Sequence, residues 1–209
     1  NLASGQQSAL NLDAYANLDK CGPERVDYLR GDATNEGTGV FTCSLGNPTT
    51  PSSILRFRTR SVSTLGDVIN SNPVFVGAPA AGYADADHPG YSAFQTKFKN
   101  RKPVVYVGAN DGMLHGIDTS VVAATNVPTS DGGKEVIAYV PSMVYDNLSR
   151  LTDGNYGAGG HRYFVDSSPM VGDACTASCT TAAAVWKTLL VSGLGAGGKP
   201  GIGQSAAEE

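Results

Sequence analysis

The chain has 209 residues, with 26 glycines, 11 prolines and only 16% charged side chains. It is long enough to bury a real core and too rich in turn formers for a helical bundle. A formal net charge of −4 excludes the basic surface that nucleic acid demands. No run of 18 apolar residues exists, so no helix here is expected to cross a membrane. The opening NLASGQQSALNLDAYANL has neither an initiator methionine nor the apolar core of a signal peptide, and the chain reads as a piece of something longer.

In chain order, residues 2–18 suggest a short helix, with Leu2, Leu10, Leu12, Tyr15 and Leu18 loosely spaced among Ala and Gln. Strand signals then dominate: VDYLRG, GVFTCSL, ILRFRTR, NPVFVGA, PVVYVGA, MLHGID, EVIAYVPS, RYFVDS and WKTLLVSGL. Each is short, rich in Val, Ile, Tyr or Phe, and bounded by Gly, Pro, Asn or Asp. SMVYDNLSRL is the best later helix, with Met143, Leu148 and Leu151 on one face. The expected class is all-β with minor helix.

The four cysteines fall into two local pairs, Cys21 with Cys43 and Cys175 with Cys179. Even pairing inside Gly/Thr-rich loops suits two disulfides and an oxidising compartment. Zinc would need four converging ligands, and His88, His115 and His161 sit at no zinc-finger interval.

One internal repeat is visible. NSNPVFVG (70–77) matches Asp-Ser-Ser-Pro-Met-Val-Gly-Asp (166–173), and each is followed by an apolar strand ending in glycine, VVYVGANDG and then TLLVSGLGAGG. In the first copy MLHGID and EVIAYVP come next. Four antiparallel strands per unit, repeated with variable loops, is the sequence form of a β-propeller blade. Residues 54–209 are expected to hold about one and a half blades of a partial propeller, and residues 1–53 an N-terminal segment with the Cys21–Cys43 loop. An open propeller piece leaves strand edges bare, from which self-association follows.

Five stretches in order resemble the C-terminal propeller region of the PilY/PilC family of type IV pilus biogenesis and tip-associated adhesin proteins. They are STLGDVINSNPVFVGAP, RKPVVYVGANDGMLHGID, EVIAYVPSMVYDNLSRL, HRYFVDS running on into SPMVGDA, and WKTLLVSGLGAGGK. The resemblance implies a non-enzymatic role: supporting pilus assembly by opposing retraction and presenting an adhesive surface at the pilus tip. It implies pilus subunits (major or minor pilins) as partners. It also implies a location in the periplasm, outer membrane and cell surface of a Gram-negative bacterium. Some family members bind calcium at acidic loops. The D-x-[DN]-x-[DN]-G pattern for such a loop is absent here, so calcium is expected, if anywhere, in the full-length parent, and no cofactor in this stretch.

Candidate sites follow. Arg30, Gly31 and Asp32 form an RGD inside the Cys21–Cys43 loop. Family resemblance implies an integrin-like host receptor as its partner, the Asp carboxylate completing a metal's coordination. The plainer reading is a strand end, with Arg30 paired to a neighbouring carboxylate and Gly31 making the turn. Asp85 and Asp87, beside His88 in YADADHPGYSAF, are weak metal candidates, since two alternating acids fall short of the six or more oxygens calcium takes. A solvated insertion loop explains them better. Asn110-Asp111-Gly112 reads as a turn between two strands rather than a catalytic group. GLGAGGKPG (193–201) matches no phosphate-loop pattern, and no nucleophile elbow accompanies His115 or His161. Trp186 reads as a strand-packing residue between blades. GANDGMLHGID also resembles the blade repeat of quinoprotein dehydrogenases, whose quinone site would come with a tryptophan-rich repeat; a single tryptophan in the chain speaks against that enzyme. A purely structural envelope scaffold is the other alternative.

Overall fold

The computed structural model describes residues 3–45, 53–156 and 160–199. The end of the GLGAGGKPG stretch and the start of the first expected helix lie outside them. The first repeat forms a four-stranded antiparallel sheet of β3 (Val74–Val76), β4 (Val104–Gly108), β5 (Leu114–Asp118) and β8 (Glu135–Tyr139), in the order β3-β4-β5-β8. These are the four strands the repeat predicted. The second copy supplies the antiparallel pair β9 (Met170–Ala177) and β10 (Val185–Val191), which bulges at Thr176 where Val185 faces Ala177 and Trp186 faces Cys175. The fold is thus part of a β-propeller: one full blade and two strands of another.

Local chemistry fixes the register. β4 and β5 are joined by a tight turn closed by Ala109 N–H to the Met113 carbonyl (3.0 Å), with Gly112 at φ +95°. Along β5, Gly116 lies beneath the Tyr106 ring from β4 and beside Ile137 from β8. A Cβ there would meet Ile137 at 2.5 Å and Tyr106 at 2.8 Å, so only glycine fits between the two neighbours. A small hairpin, β6 (Val121–Val122) with β7 (Val127–Pro128), projects from the β5–β8 connection. Among the described residues β8 ends the sheet with an unpaired outer edge, and its Val136, Ile137 and Tyr139 are exposed.

The two repeats interlock through their equivalent positions. The Asn70 side-chain amide donates to Asp166 (2.7 Å), and Asn72 N–H donates to the Ser168 hydroxyl (2.9 Å). Ser71 Oγ accepts from Gly108 N–H at 2.9 Å, and its counterpart Ser167 lies against Gly193, the counterpart of Gly108. The stretch RYFVDS, expected to be a strand, joins no ladder. Phe164 and Val165 are buried, and their N–H groups go to the Asn110 side chain (2.9 Å) and the Ala109 carbonyl (3.4 Å), so the segment is a wedge between the blades.

Three further expectations change. VDYLRG is not a strand but the second half of helix α2 (Gly22–Leu29) and the residues that end it: Pro23 and Glu24 suit a first turn, and Arg25 and Tyr28, three apart, share the buried face while Val26 and Leu29 pack on the core. Helical periodicity overrides the strand preference of Val and Tyr. The first helix, α1 (Ser4–Leu10), stops early because the Asp13 carboxylate takes the N–H groups of Tyr15 and Asn17, both at 2.8 Å, and turns the chain. The insertion between β3 and β4 carries an unforeseen helix, α3 (Tyr91–Phe98).

SMVYDNLSRL is helical as expected: α4 (Tyr145–Leu148) between two 3₁₀ turns, Ser142–Val144 and Ser149–Thr152. It is the hub of the main core, where Leu10, Val144, Leu148, Leu151, Tyr156 and Phe164 are buried with Val26 and Leu29 against them. A second cluster gathers Tyr28 and Phe57 around the Cys21–Cys43 disulfide, whose Cα atoms lie 5.1 Å apart. It covers the short pair β1 (Val40–Thr42) and β2 (Ser53–Leu55). Cys175 and Cys179 are also bonded, at the tip of the β9–β10 hairpin.

Candidate functional site

The RGD is the C-terminal cap of α2. Gly31 takes a left-handed conformation (φ +100°), its N–H bonding the Tyr28 carbonyl at 2.9 Å, while Asp32 N–H reaches back to the Asp27 carbonyl at 3.0 Å. These two bonds are a Schellman motif, which favours glycine in the middle position. The strand-end expectation is therefore corrected to a helix end. Arg30 and Asp32 are exposed, and among the described residues no carboxylate pairs with Arg30. The Asp32 carboxylate accepts Thr34 N–H at 2.7 Å, and hydrogen bonding from the Thr34 side chain, then from that N–H, lowers its pKa. Behind it, Arg60 stacks 3.6 Å from the Tyr28 ring centroid and binds Glu36 (2.6 Å), the Tyr28 carbonyl (2.7 Å) and the Asp32 carbonyl (3.1 Å). The motif is thus presented to solvent on a stiff support.

Beneath Arg30 runs a groove of ≈ 650 Å³ with an apolar floor of Leu10, Val26, Leu29, Met113 and Leu148. Its polar wall was not anticipated. Asn110-Asp111-Gly112 is the expected turn, but its side chains also tie distant segments together. Asp111 accepts Gly66 N–H (2.8 Å) and Met113 N–H (3.1 Å), and both its oxygens lie 3.0 Å from His115 Nε2. His115 Nδ1 lies 2.5 Å from Glu135 on β8. The His115 side chain is 7% exposed. Burial works to lower its pKa, but the Asp111 hydrogen bond and charge, followed by those of Glu135, outweigh it and the net shift is upward. Both His115 partners are acceptors, so this is a charge-holding arrangement and not a base poised over a nucleophile. The sequence signal is faint: an inward imidazole four residues after the turn aspartate, with its second carboxylate on a strand that only the sheet pairing brings near.

Most of the other candidate residues make local structural contacts. Asp85 accepts both the N–H (2.9 Å) and the hydroxyl (2.5 Å) of Ser92, tying down the first turn of α3, and this lowers its pKa. Asp87 is exposed in the same loop. No group of three His, Cys, Asp or Glu able to hold a metal exists among the described residues. Trp186, on β10, donates its indole N–H to the Pro89 carbonyl (2.9 Å) and packs on Tyr91 and Tyr83 from the first blade's insertion. His88 stacks on Tyr83, and His161 pairs with Asp67 at 2.8 Å. The glycines after β10 form a 3₁₀ turn (Gly195–Gly197) pressed on the Phe164 backbone. No described helix is long and apolar enough to cross a membrane.

Comparison with known proteins gives one consistent result. The family described as the PilY1 beta-propeller domain matches residues 65–204. A protein named type IV pilus biogenesis factor PilY1, from Pseudomonas aeruginosa strain PAK, is 40% identical over 205 residues, which is 95% of this chain. Its counterpart in strain UCBPP-PA14 is 35% identical over 90% of the chain, and a homolog from Xylella fastidiosa is 38% identical over 84%. The chain spans only 15%, 14% and 12% of the lengths of these relatives. No solved structure matches it.

Proposed function

Given that this chain belongs to the PilY1 β-propeller family, we propose that it is the propeller segment of a type IV pilus biogenesis factor, one that promotes pilus extension by opposing retraction and carries an attachment surface. The observation that carries this reading is the 40% identity, across nearly the whole chain, to a protein of that name. The role is non-enzymatic and works through surfaces. Its partners are the pilins, and its place is the periplasm, the outer membrane and the pilus tip. Two disulfides fit that oxidising route. Calcium, where it acts, binds elsewhere in the full-length parent.

For attachment, the reading assigns Arg30, Gly31 and Asp32 to an integrin-like receptor. The exposed arginine and aspartate on a rigid helix cap support it, because a pre-ordered loop loses little entropy on binding.

Deleting the full-length parent gene tests the biogenesis role. Surface pili and twitching should be lost, and pili should return when retraction is also disabled; normal pili and motility in the deletion strain overturn the reading. Arg30→Ala and Asp32→Ala in the otherwise intact parent should weaken attachment to integrin-bearing cells with piliation unchanged. Undiminished attachment removes the motif from the account.

A further inference from the structure

The Asp111–His115–Glu135 relay is a titratable cluster around a buried imidazole that neither pilus assembly nor attachment uses. We propose that His115 is a proton-operated latch: charged, it pins the start of edge strand β8 through Glu135, and on losing its proton it lets that strand end go.

The argument is one of donors and acceptors. An imidazolium has two N–H groups, one for each carboxylate, whereas neutral histidine has one. On deprotonation, one carboxylate must face a bare ring nitrogen at 2.5–3.0 Å. The two carboxylates are not equivalent. Asp111 keeps the N–H groups of Gly66 and Met113, and its side chain is 15% exposed. Glu135 has His115 as its bonding partner among the described residues, and half of its side chain (51%) already meets water. The remaining proton therefore stays on Nε2 toward Asp111, and Glu135 swings out.

Glu135 is also where β8 is most easily freed. The β5–β8 register shifts between Gly116 and Ile117, next to the Ile117–Glu135 pair, and among the described residues the strand has no neighbour on its outer side. β8 walls the groove through Glu135, Ala138 and Tyr139, so loosening it widens the space beneath Arg30. The other charged or titratable groups on this groove are Arg30 just past the end of α2, Tyr139 from β8 and Tyr145 from α4. Burial, followed by the Tyr139 phenol, pushes the Tyr145 phenol above its usual value, so it stays neutral while histidine titrates.

The direction of pH dependence follows. His115 is held above the ordinary histidine value of 6.5, so its contribution is complete below 6.5 and is lost as pH rises through its own raised value. The opening equilibrium of the β8 end should therefore rise with pH as His115 loses its proton and level off above its own raised value.

The test is an NMR titration of the 209-residue chain, whose three histidines make assignment simple. His115 should titrate above 6.5, and the amides of residues 135–137 should follow its midpoint while Gly66 N–H stays nearly fixed. In Glu135→Gln, altered at a half-exposed side chain, the His115 midpoint should fall and the β8 amides should stop responding. His115→Gln should abolish the response altogether. If that variant does not fold, Glu135→Gln carries the same test. A His115 midpoint at or below 6.5 overturns the proposal, as do β8 amides that stay flat through the titration or respond equally in Glu135→Gln.

Discussion

Replacing Arg25 with methionine should remove a deeply set ion pair, and the cost can be worked from its surroundings. The guanidinium is 2% exposed and donates to both oxygens of Asp19 (2.7 Å to Oδ1), to the Leu10 carbonyl (2.8 Å) and to the Thr152 hydroxyl (3.4 Å). It therefore joins the end of α1, the chain before α2 and the turn after α4 at one point. Without it, Asp19 keeps the Cys21 N–H (3.0 Å) but remains a buried charge without a counterion. Breaking one side of such a pair costs about 3–5 kcal/mol, a large share of the roughly 5–15 kcal/mol that holds a domain together. With an m-value of about 2–3 kcal/mol/M, the urea midpoint should fall by roughly 1–2.5 M. Arg25→Lys should recover little, because a single ammonium cannot span both Asp19 oxygens and reach Leu10 and Thr152 as well. Asp19→Leu with Arg25→Met should lose far less than the two single changes summed, since no lone charge is then left buried. A loss below about 0.5 kcal/mol for Arg25→Met, the range of ordinary surface changes, would refute the reasoning. The attachment reading depends on the same pair, because α2 carries Arg30–Asp32 at its end.

Three further outcomes are expected. Under limiting reductant, Cys175–Cys179, with Cys179 exposed at a hairpin tip, should open before Cys21–Cys43, whose cysteines are buried at 0% and 3%; differential alkylation and mass spectrometry would show it, and equal or reversed order would contradict it. Asp118 has a pKa lowered to about 2, first by its hydrogen bond with Lys102 and then by Ser120. Its contribution to stability is present above the ordinary value of 3.8 and lost as pH falls through about 2, and Lys102→Met should raise its midpoint measurably by carboxyl NMR. Gly108→Ala places a Cβ 2.3 Å from the Val165 carbonyl oxygen and must part the blades; a cost of about 1–3 kcal/mol lowers the melting temperature by about 2–12 °C, and a wild-type melting curve would count against the close approach.

The blades were readable because their signal is repeated: NSNPVFVG and its counterpart at 166–173 each announce a strand, and the apolar-to-glycine strand that follows confirms the register. Helix α2 was not, because Val26 and Tyr28 favour strands by composition, and the packing of Leu29 on the main core and of Tyr28 against Phe57 favours the helix. Gly31 illustrates the same limit. Its type signals a turn, but a strand end and a helix cap both want a left-handed residue, and the difference lies in which carbonyls are within reach. Asp111 was read correctly as a turn residue, yet its bonds to Gly66 and His115 depend on a segment 45 residues away and on a side chain across the turn. Local propensity names such residues; only the assembled sheet names their partners.

The interlock between equivalent positions has an evolutionary corollary. Asn70 meets Asp166, and Asn72 meets Ser168, so each joint is made by one motif with a later copy of itself. A duplicated blade arrives already carrying half of the next joint, and a lineage can change its blade number without inventing a new interface. The connections away from the joint are then free to diverge. They have done so here, where the first copy spends residues 77–103 between its first two strands, room enough for α3, and the second crosses in residues 178–184.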